Sequence, residues 1–268
     1  MKVCSLFTGL SLLAASSASA QLDVNFNANP PYDPSLEVSG QGGWTINPGT
    51  PSDLSYFQQV GSENWGSLGG LYATPAGSNA TLSKPVGVPF AGSGGLLTNF
   101  FIQSSANAPA DPGDIVAGRD TFGFSFQGSS QSVFDLRFIP DGSDPDLMNI
   151  WWGSPAGGQA LTFTNEALYD DSMYSLRIDF AVNGSDLDFF ATLGGTNSTS
   201  FSGTIPGAAG LQWDSFDVVW DLTNAANGGS NAIVLQGLSG VPEPSSAMGS
   251  LLAGMMGLSV ATRRRRRA

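Results

Sequence analysis

The chain has 268 residues, of which only 12% are charged, and its formal net charge is −12. Lys2 and Arg263 to Arg267 account for six of the ten basic residues and Glu243 for one of the 22 acidic residues, which leaves 21 acidic and four basic residues between the two ends. A surface of that sign repels phosphate backbones, so nucleic acid is excluded as a partner. The sequence has no histidine and its one cysteine is Cys4, which excludes Ser-His-Asp, Cys-His and zinc chemistry.

Residues 1–20 have the pattern of a secretory signal peptide. Lys2 provides the positive start, Val3 to Ala15 the apolar run, and Ala18 to Ala20 the small-residue cleavage site before Gln21. The alternative is a buried first helix. We therefore expect the Sec machinery to export the chain across the inner membrane and signal peptidase to cleave after Ala20.

Residues 21–240 contain repeated alternation of apolar and polar side chains, which indicates half-buried strands. The clearest runs are Thr121 to Gln127, Val133 to Ile139, Tyr174 to Val182 and Phe216 to Leu222. Each run places aromatic and aliphatic side chains on one face and polar side chains on the other. Four runs of this kind predict a sheet that is buried on one side and wet on the other.

Further short strands are expected along the same region, and no segment between the two ends has a helical period. They lie near Asp23 to Ala28, Trp44 to Asn47, Met148 to Trp152, Leu161 to Thr164, Leu187 to Leu193, Thr199 to Thr204 and Ala232 to Gln236. Residues 29–115 alternate less clearly, and we expect edge strands and long loops there. Residues 237–240 are interpreted as a short linker.

The predicted fold is all-β, an antiparallel β-sandwich made by packing two one-sided sheets face to face. The run from Phe134 to Gly142, followed by Tyr174 to Gly184 and Leu187 to Phe190, resembles the concanavalin/laminin-G type of jelly roll. Asn183-Gly184 predicts a tight hairpin turn, because both residues tolerate positive φ. This resemblance implies one jelly-roll domain over residues 21–240.

Two groups of aspartates are candidate metal ligands. Asp141, Asp144 and Asp146 share one turn, and calcium binds several such oxygens from a flexible loop. The alternative is an ordinary solvated turn, which the same residues also form. Asp186 and Asp188 share one face of a strand, where a cation or solvent must separate their charges. No cofactor is expected, and Ca²⁺ remains the alternative.

Trp151 is the candidate glycan-binding residue. It precedes Trp152 on a predicted strand, so the two rings point to opposite faces. Asn149 shares the face of Trp151, which makes Trp151 the outward-facing ring. An outward tryptophan beside acidic loops is suited to stack on a sugar; the alternative is that a neighbouring loop covers it.

No catalytic residue is predicted, so the domain is expected not to be an enzyme. Its glutamates are Glu37, Glu63 and Glu166, and the Glu-x-Asp-x-x-Glu signature of laminarinase-like jelly-roll enzymes is absent. The alternative is a secreted carbohydrate-active enzyme, a glycoside hydrolase or lyase, that uses a pair of aspartates.

Residues 241–268 form a tripartite tail. Pro242, Glu243 and Pro244 form a stiff extended segment, because each proline restricts the residue before it. Ala247 to Thr262 is an uncharged stretch of small and apolar residues, and counted from Ser245 the uncharged run has about the minimum length of a transmembrane helix. A basic cluster then provides a cytoplasmic stop, formed by Arg263, Arg264, Arg265, Arg266 and Arg267. The alternative is an ordinary tail anchor that is never cut.

The tail resembles the PEP-CTERM sorting domain, since the Pro-Glu-Pro motif, apolar segment and arginine cluster occur in that order. The resemblance implies that an integral-membrane exosortase cleaves near Pro242 to Pro244 after a transient single-pass membrane intermediate. It also implies delivery to the cell surface or to an exopolysaccharide layer. The sequence therefore predicts an exported bacterial surface or extracellular-matrix protein, possessing a domain that binds glycan or is structural.

Overall fold

A computed structural model describes residues 22–28, 31–47, 54–69, 79–91, 94–103, 120–129, 131–144, 146–221 and 231–241. The predicted signal peptide and the sorting tail from Pro242 onward lie outside these residues. No helix in the described part of the chain has the length and apolar character of a membrane span. The described strands form two antiparallel sheets.

Sheet A has nine of the described strands. They are β1 (Asp23–Asn25), β3 (Ser55–Val60), β4 (Glu63–Gly69), β6 (Gly94–Gln103), β11 (Tyr174–Asn183), β12 (Asp186–Gly195), β13 (Thr199–Ile205), β15 (Ala232–Leu235) and β16 (Gly237–Val241). Their order is β13-β12-β11-β6-β15-β4-β3, and β16 pairs with both β6 and β1.

Sheet B has the other seven. They are β2 (Thr45–Asn47), β5 (Asn79–Ala91), β7 (Thr121–Gln127), β8 (Ser132–Pro140), β9 (Leu147–Ser154), β10 (Gln159–Tyr169) and β14 (Gln212–Asp221), in the order β10-β9-β8-β7-β14-β5-β2. The long-range pairs alternate between sheets: β4 with β15 in sheet A, β5 with β14 in sheet B, and β6 with β11 in sheet A. This nested pairing is that of a jelly roll.

The two sheets are held together by aromatic side chains on their inner faces. The ring of Phe100 in sheet A lies 5.3 Å from Phe124 and 5.2 Å from Phe138 in sheet B. Phe134 and Phe180 meet edge to face at 5.4 Å between the same sheets. Such pairs add about 0.5–1.5 kcal/mol each beyond the area they bury. The all-β sandwich predicted from alternation is therefore confirmed, with a largely aromatic core.

The four clearest predicted strands are confirmed, and they correspond to β7, β8, β11 and β14. The apolar side chains at every second position of these strands face the core, as in the fully buried Phe122, Phe124 and Phe126. The Asn183-Gly184 turn is also present, with Gly184 at φ 65°. Alternation was sufficient here because one face of each strand packs and the other carries polar side chains.

Two predictions about the remaining chain are wrong. The region 29–115 does not supply edge strands only, because β6 is a central strand of sheet A. The outer face of β6 carries Leu97 and Phe101, so apolar side chains lie on both faces of the strand. The sequence of β6 therefore shows no alternation of apolar and polar residues. Residues 237–240 are not a linker: they belong to β16, which lies between β6 and β1. Glycines at 237 and 240 suggested flexibility, but the backbone there is hydrogen-bonded as a strand.

Asp120 is a buried carboxylate just before β7. Its Oδ2 accepts hydrogen bonds from the indole of Trp220 at 2.9 Å and from the Asn231 amide at 3.1 Å, whereas Oδ1 has no partner among the described residues. Burial raises the pKa of Asp120 from 3.8 to about 6, and the nearby Asp221 adds to the rise. The folded chain therefore keeps this side chain protonated up to a higher pH than the unfolded chain does.

This burial predicts a pH dependence of stability. Because the pKa of Asp120 is higher in the folded chain than in the unfolded chain, stability falls as the pH rises from about 4 to about 6.5, on the order of 1–3 kcal/mol. The Asp120→Asn variant is expected to lose this fall while keeping an acceptor for Trp220. Urea titrations at several pH values measure the effect, with the exposed Asp179→Asn as control. An unchanged pH slope in Asp120→Asn would contradict the assignment.

Candidate functional site

The outer face of sheet B carries a row of polar side chains across four neighbouring strands. Asp135 of β8 is opposite Ser125 of β7, Ser125 is opposite Asp217 of β14, and Asp217 is opposite Ser83 of β5. The alternation that turns the phenylalanines inward turns these residues outward. We call these four residues the polar row.

Arg137 lies beside the polar row and is fixed by three hydrogen bonds, one of which is also an ion pair. Its guanidinium donates to the Asp135 carboxylate at 3.0 Å, forming an ion pair, and to the carbonyl oxygens of Phe124 and Leu136 at 3.0 and 3.2 Å. It crosses over Gly123, where an added Cβ would lie 2.1 Å from the Leu136 oxygen and 2.9 Å from Arg137 Cδ. A glycine at this position therefore lets the arginine lie flat along the sheet.

The polar row is shielded from solvent although it lies on an outer face. Asp135 is 8% exposed, Asp217 is 6% exposed and Ser125 is fully buried. Burial raises the pKa of Asp217, and the hydroxyls of Ser83 and Ser215, together with Arg137, oppose the rise only in part. A carboxylate with a perturbed pKa, held beside a fixed guanidinium, is typical of a functional site.

An aromatic pair borders the polar row. Trp151 of β9 is directly opposite Arg137 on one side and Phe163 of β10 on the other. The Trp151 and Phe163 rings stack at 5.4 Å with an interplanar angle of 29°. Trp151 points outward and Trp152 points into the core, as predicted. Its partial cover comes from the neighbouring strand β10.

The strand β10 extends this apolar border to the edge of sheet B. Leu161, Phe163 and Tyr169 are 44%, 38% and 41% exposed, which is unusual for side chains of this size. The Trp151 indole N–H is buried and finds no acceptor among the described residues. We call Trp151, Leu161, Phe163 and Tyr169 the aromatic edge. It presents apolar surface beside an unpaired hydrogen-bond donor.

The aspartates considered for calcium form a self-contained turn. Asp141 Oδ1 accepts from the amide of Ser143 at 2.7 Å, from its hydroxyl at 2.6 Å and from the amide of Asp144 at 3.0 Å. The second oxygen accepts from Asn149 at 2.8 Å. These bonds, led by the Ser143 hydroxyl, lower the pKa of Asp141. The geometry is that of an Asx turn.

Three other aspartates from the two candidate metal-ligand groups, Asp144, Asp186 and Asp188, also accept hydrogen bonds from neutral groups. Asp144 Oδ1 accepts from the amide of Asp146 at 3.0 Å. Asp188 accepts from Asn183 and Thr204, and Asp186 from Ser185 and the amide of Gly207. Within the described ranges, no three His, Cys, Asp or Glu side chains form a group that would hold a metal ion.

The sequence predicted which strand faces carry these polar residues, but it did not predict that the residues lie close together. Alternation assigned Asp135, Arg137 and Asp217 to wet strand faces, but Asp217 is far from the other two along the chain. Only the pairing of β14 with β7 brings them together. Strand pairing depends on the tertiary fold, so no local signal identified this cluster. The predicted cleavage and sorting residues, Ala18 to Gln21 and Pro242 to Arg267, lie outside the described residues.

No protein-family model and no characterised protein matches the sequence. In structure the chain is similar to an alginate lyase from Klebsiella pneumoniae, with 9% identity, 73% of this chain and 86% of that chain covered, and a TM-score of 0.49. It is also similar to the CBM2 module of the evolved Dit of Lactobacillus casei BL23 phage J-1, with 10% identity, coverage of 76% and 91%, and a TM-score of 0.48. A third similar structure is lectin II from Ulex europaeus, with 11% identity, 77% of this chain and 95% of that chain covered, and a TM-score of 0.44. At these TM-scores we draw no functional conclusion from the similarities.

Proposed function

We propose that this chain is an exported bacterial surface or extracellular-matrix protein that binds glycan, without turnover, on the outer face of sheet B. The observation that carries the proposal is the polar row with Arg137, placed directly beside the aromatic edge. Carbohydrate rings present both apolar C–H faces and directional hydroxyls. A carbohydrate site therefore needs aromatic surface and fixed polar groups that lie close enough together to contact the same sugar ring.

Each part of the face has a role in this proposal. Phe163 and Trp151 offer ring surface, on which sugar C–H groups pack because their partial charge complements the ring face. The carboxylates of Asp135 and Asp217 would accept hydrogen bonds from ligand hydroxyl groups through the 8% and 6% of these residues that stay exposed. Arg137 is held in place by Asp135, so little side-chain entropy is lost on binding.

The destination is part of the same proposal and rests on the two ends of the sequence. Signal peptidase would release the chain at Gln21, and an exosortase would act near Pro242 to Pro244. The last strand, β16, extends to Val241, so the Pro-Glu-Pro motif directly follows the folded sandwich. An exopolysaccharide layer is then both the place of delivery and the natural source of glycan.

Sorting is tested by a Pro242→Ala, Pro244→Ala double variant expressed in the native host. Loss of the stiff motif is expected to leave the protein in the membrane fraction with its uncut tail. Cell fractionation and intact-mass measurement follow both changes. Wild type and double variant with the same mass and the same location would contradict exosortase processing.

Glycan binding is tested by Phe163→Ala. Because Phe163 is partly exposed, the variant is expected to fold normally and to bind its oligosaccharide about tenfold more weakly. Calorimetry against a panel of neutral oligosaccharides measures the loss. The control is Phe190→Ala, which removes an equally large exposed ring from the outer face of sheet A. An equal loss in both variants, or no binding by wild type, would contradict the assigned face.

One observation favours a second candidate, a carbohydrate-active enzyme. Asp135 and Asp217 lie two strands apart, on either side of Ser125, with a Cα separation of roughly 10 Å. Burial raises the pKa of Asp217, whereas Asp135 is ion-paired with Arg137. Glycoside hydrolysis also uses two carboxyl groups in different environments, about 5–9.5 Å apart.

Turnover separates the two candidates. Wild type is incubated with polysaccharides, with and without EDTA, and new reducing ends are measured. The proposal of a binding protein predicts retention without release. Release that falls at least about a hundredfold in Asp217→Asn would instead establish the enzyme. Asp179→Asn, on the opposite sheet, serves as the matched control.

A further inference from the structure

Sheet A divides at Gln236, between β15 and β16. The strand β15 ends at Leu235, which pairs with Gly66 of β4, whereas β16 begins at Gly237, which pairs with Asn25 of β1. The first residues of β4, Glu63 to Trp65, pair only with β3, whereas Gly66 to Leu68 pair with both β3 and β15. The gap between β1 and the start of β4 opens a groove of about 840 Å³ on the outer face of sheet A. We call it the fork groove.

A relay of side chains fixes the wall of the fork groove. Asn99 donates to the Gln236 side-chain oxygen at 2.6 Å, and Gln236 donates to Glu63 Oε2 at 2.6 Å. The indole of Trp65 donates to the same oxygen at 3.2 Å. Asn27 accepts from the amide of residue 64 at 2.7 Å and ties the two sides of the fork together. These polar groups are therefore arranged before any ligand arrives, which lowers the entropic cost of binding.

The charge of the fork groove differs from that of the sheet B face. Asp23 and Glu63 line it, and no Lys or Arg is present among its described lining residues. The donors to Glu63 are neutral, so its negative charge is not balanced by an ion pair. Arg177 of β11 is opposite Leu97, and it is paired with Asp179 at 2.7 and 2.9 Å. The groove is complementary to a cation.

The floor of the fork groove adds apolar surface. Leu97 is 41% exposed there, which is sufficient to pack against the C–H face of a sugar ring. The volume lies within the range of about 300–1,000 Å³ that is typical of ligand sites. A ligand for this groove therefore combines an apolar face, hydroxyl or amide groups for Asn99 and Gln236, and a positive charge.

We propose that the fork groove is a second glycan site, selective for a saccharide that carries protonated amino groups. It lies on the outer face of sheet A, and the site proposed above lies on the outer face of sheet B, so the aromatic core separates them. One molecule then holds two polymer strands on opposite sides. This bridging rests on the proposed glycan binding, whereas the selectivity of the fork groove does not.

Calorimetry with a glucosamine oligomer, at a pH at which its amines are protonated, tests the fork groove. Glu63→Gln removes the charge but keeps an acceptor for Gln236 and Trp65, and it is expected to weaken binding of this oligomer about tenfold. Binding of the fully N-acetylated oligomer should stay within about twofold. The matched control is Glu166→Gln, a carboxylate outside the groove that accepts from Thr199. Equal affinity of wild type and Glu63→Gln for the amino oligomer would overturn the site.

Bridging is measured in a separate capture assay. The neutral glycan that binds the sheet B face is fixed on beads, and the amino oligomer is labelled and added in solution with the protein. Wild type is expected to carry the label to the beads, and Glu63→Gln and Phe163→Ala are each expected to lose capture. Capture that persists in Phe163→Ala would show that one site takes both ligands. If neutral glycans do not bind at all, the sheet B proposal fails while the calorimetry of the fork groove still stands.

Discussion

The structure depends on the aromatic layer between its two sheets. Phe100 contacts Phe124 and Phe138 across the sandwich, and Phe134 contacts Phe180, so β6, β7, β8 and β11 are each anchored by at least one ring. Because side chains alternate along a strand, a slip of one residue would place these rings in water. The core therefore fixes the register of these four strands. The polar row and the aromatic edge exist only in that register.

This dependence explains how the described part of the chain brings these polar groups together without histidine or cysteine. Asp135 and Arg137 are two residues apart and therefore share a face, while Asp217 reaches them from β14 through pairing with β7. The sheet supplies their proximity, and Gly123 supplies the room for the guanidinium. The fork at Gln236 works in the same way on sheet A, where the division of one strand position into β1 and β4 makes the second groove.

Local periodicity predicted much of the fold, and its failures have physical causes. β7 and β11 were predictable because one face is aromatic and the other polar. β6 was not, since its outer residues Leu97 and Phe101 are also apolar, and β16 was not, because its glycines resemble a linker. The orientation of Trp151 followed from its strand, but its stacking on Phe163 required the pairing of β9 with β10. The Asp135 and Asp217 pair was beyond any local pattern for the same reason.

The central claim is that the polar row is a desolvated, ligand-facing surface. Nuclear magnetic resonance titration of the aspartate carboxyl carbons, with and without saturating neutral oligosaccharide, tests it most directly. The account predicts a pKa of Asp217 above the ordinary aspartate value in the free protein and a further change of that pKa when sugar binds. An ordinary pKa for Asp217 that the oligosaccharide leaves unchanged would contradict it.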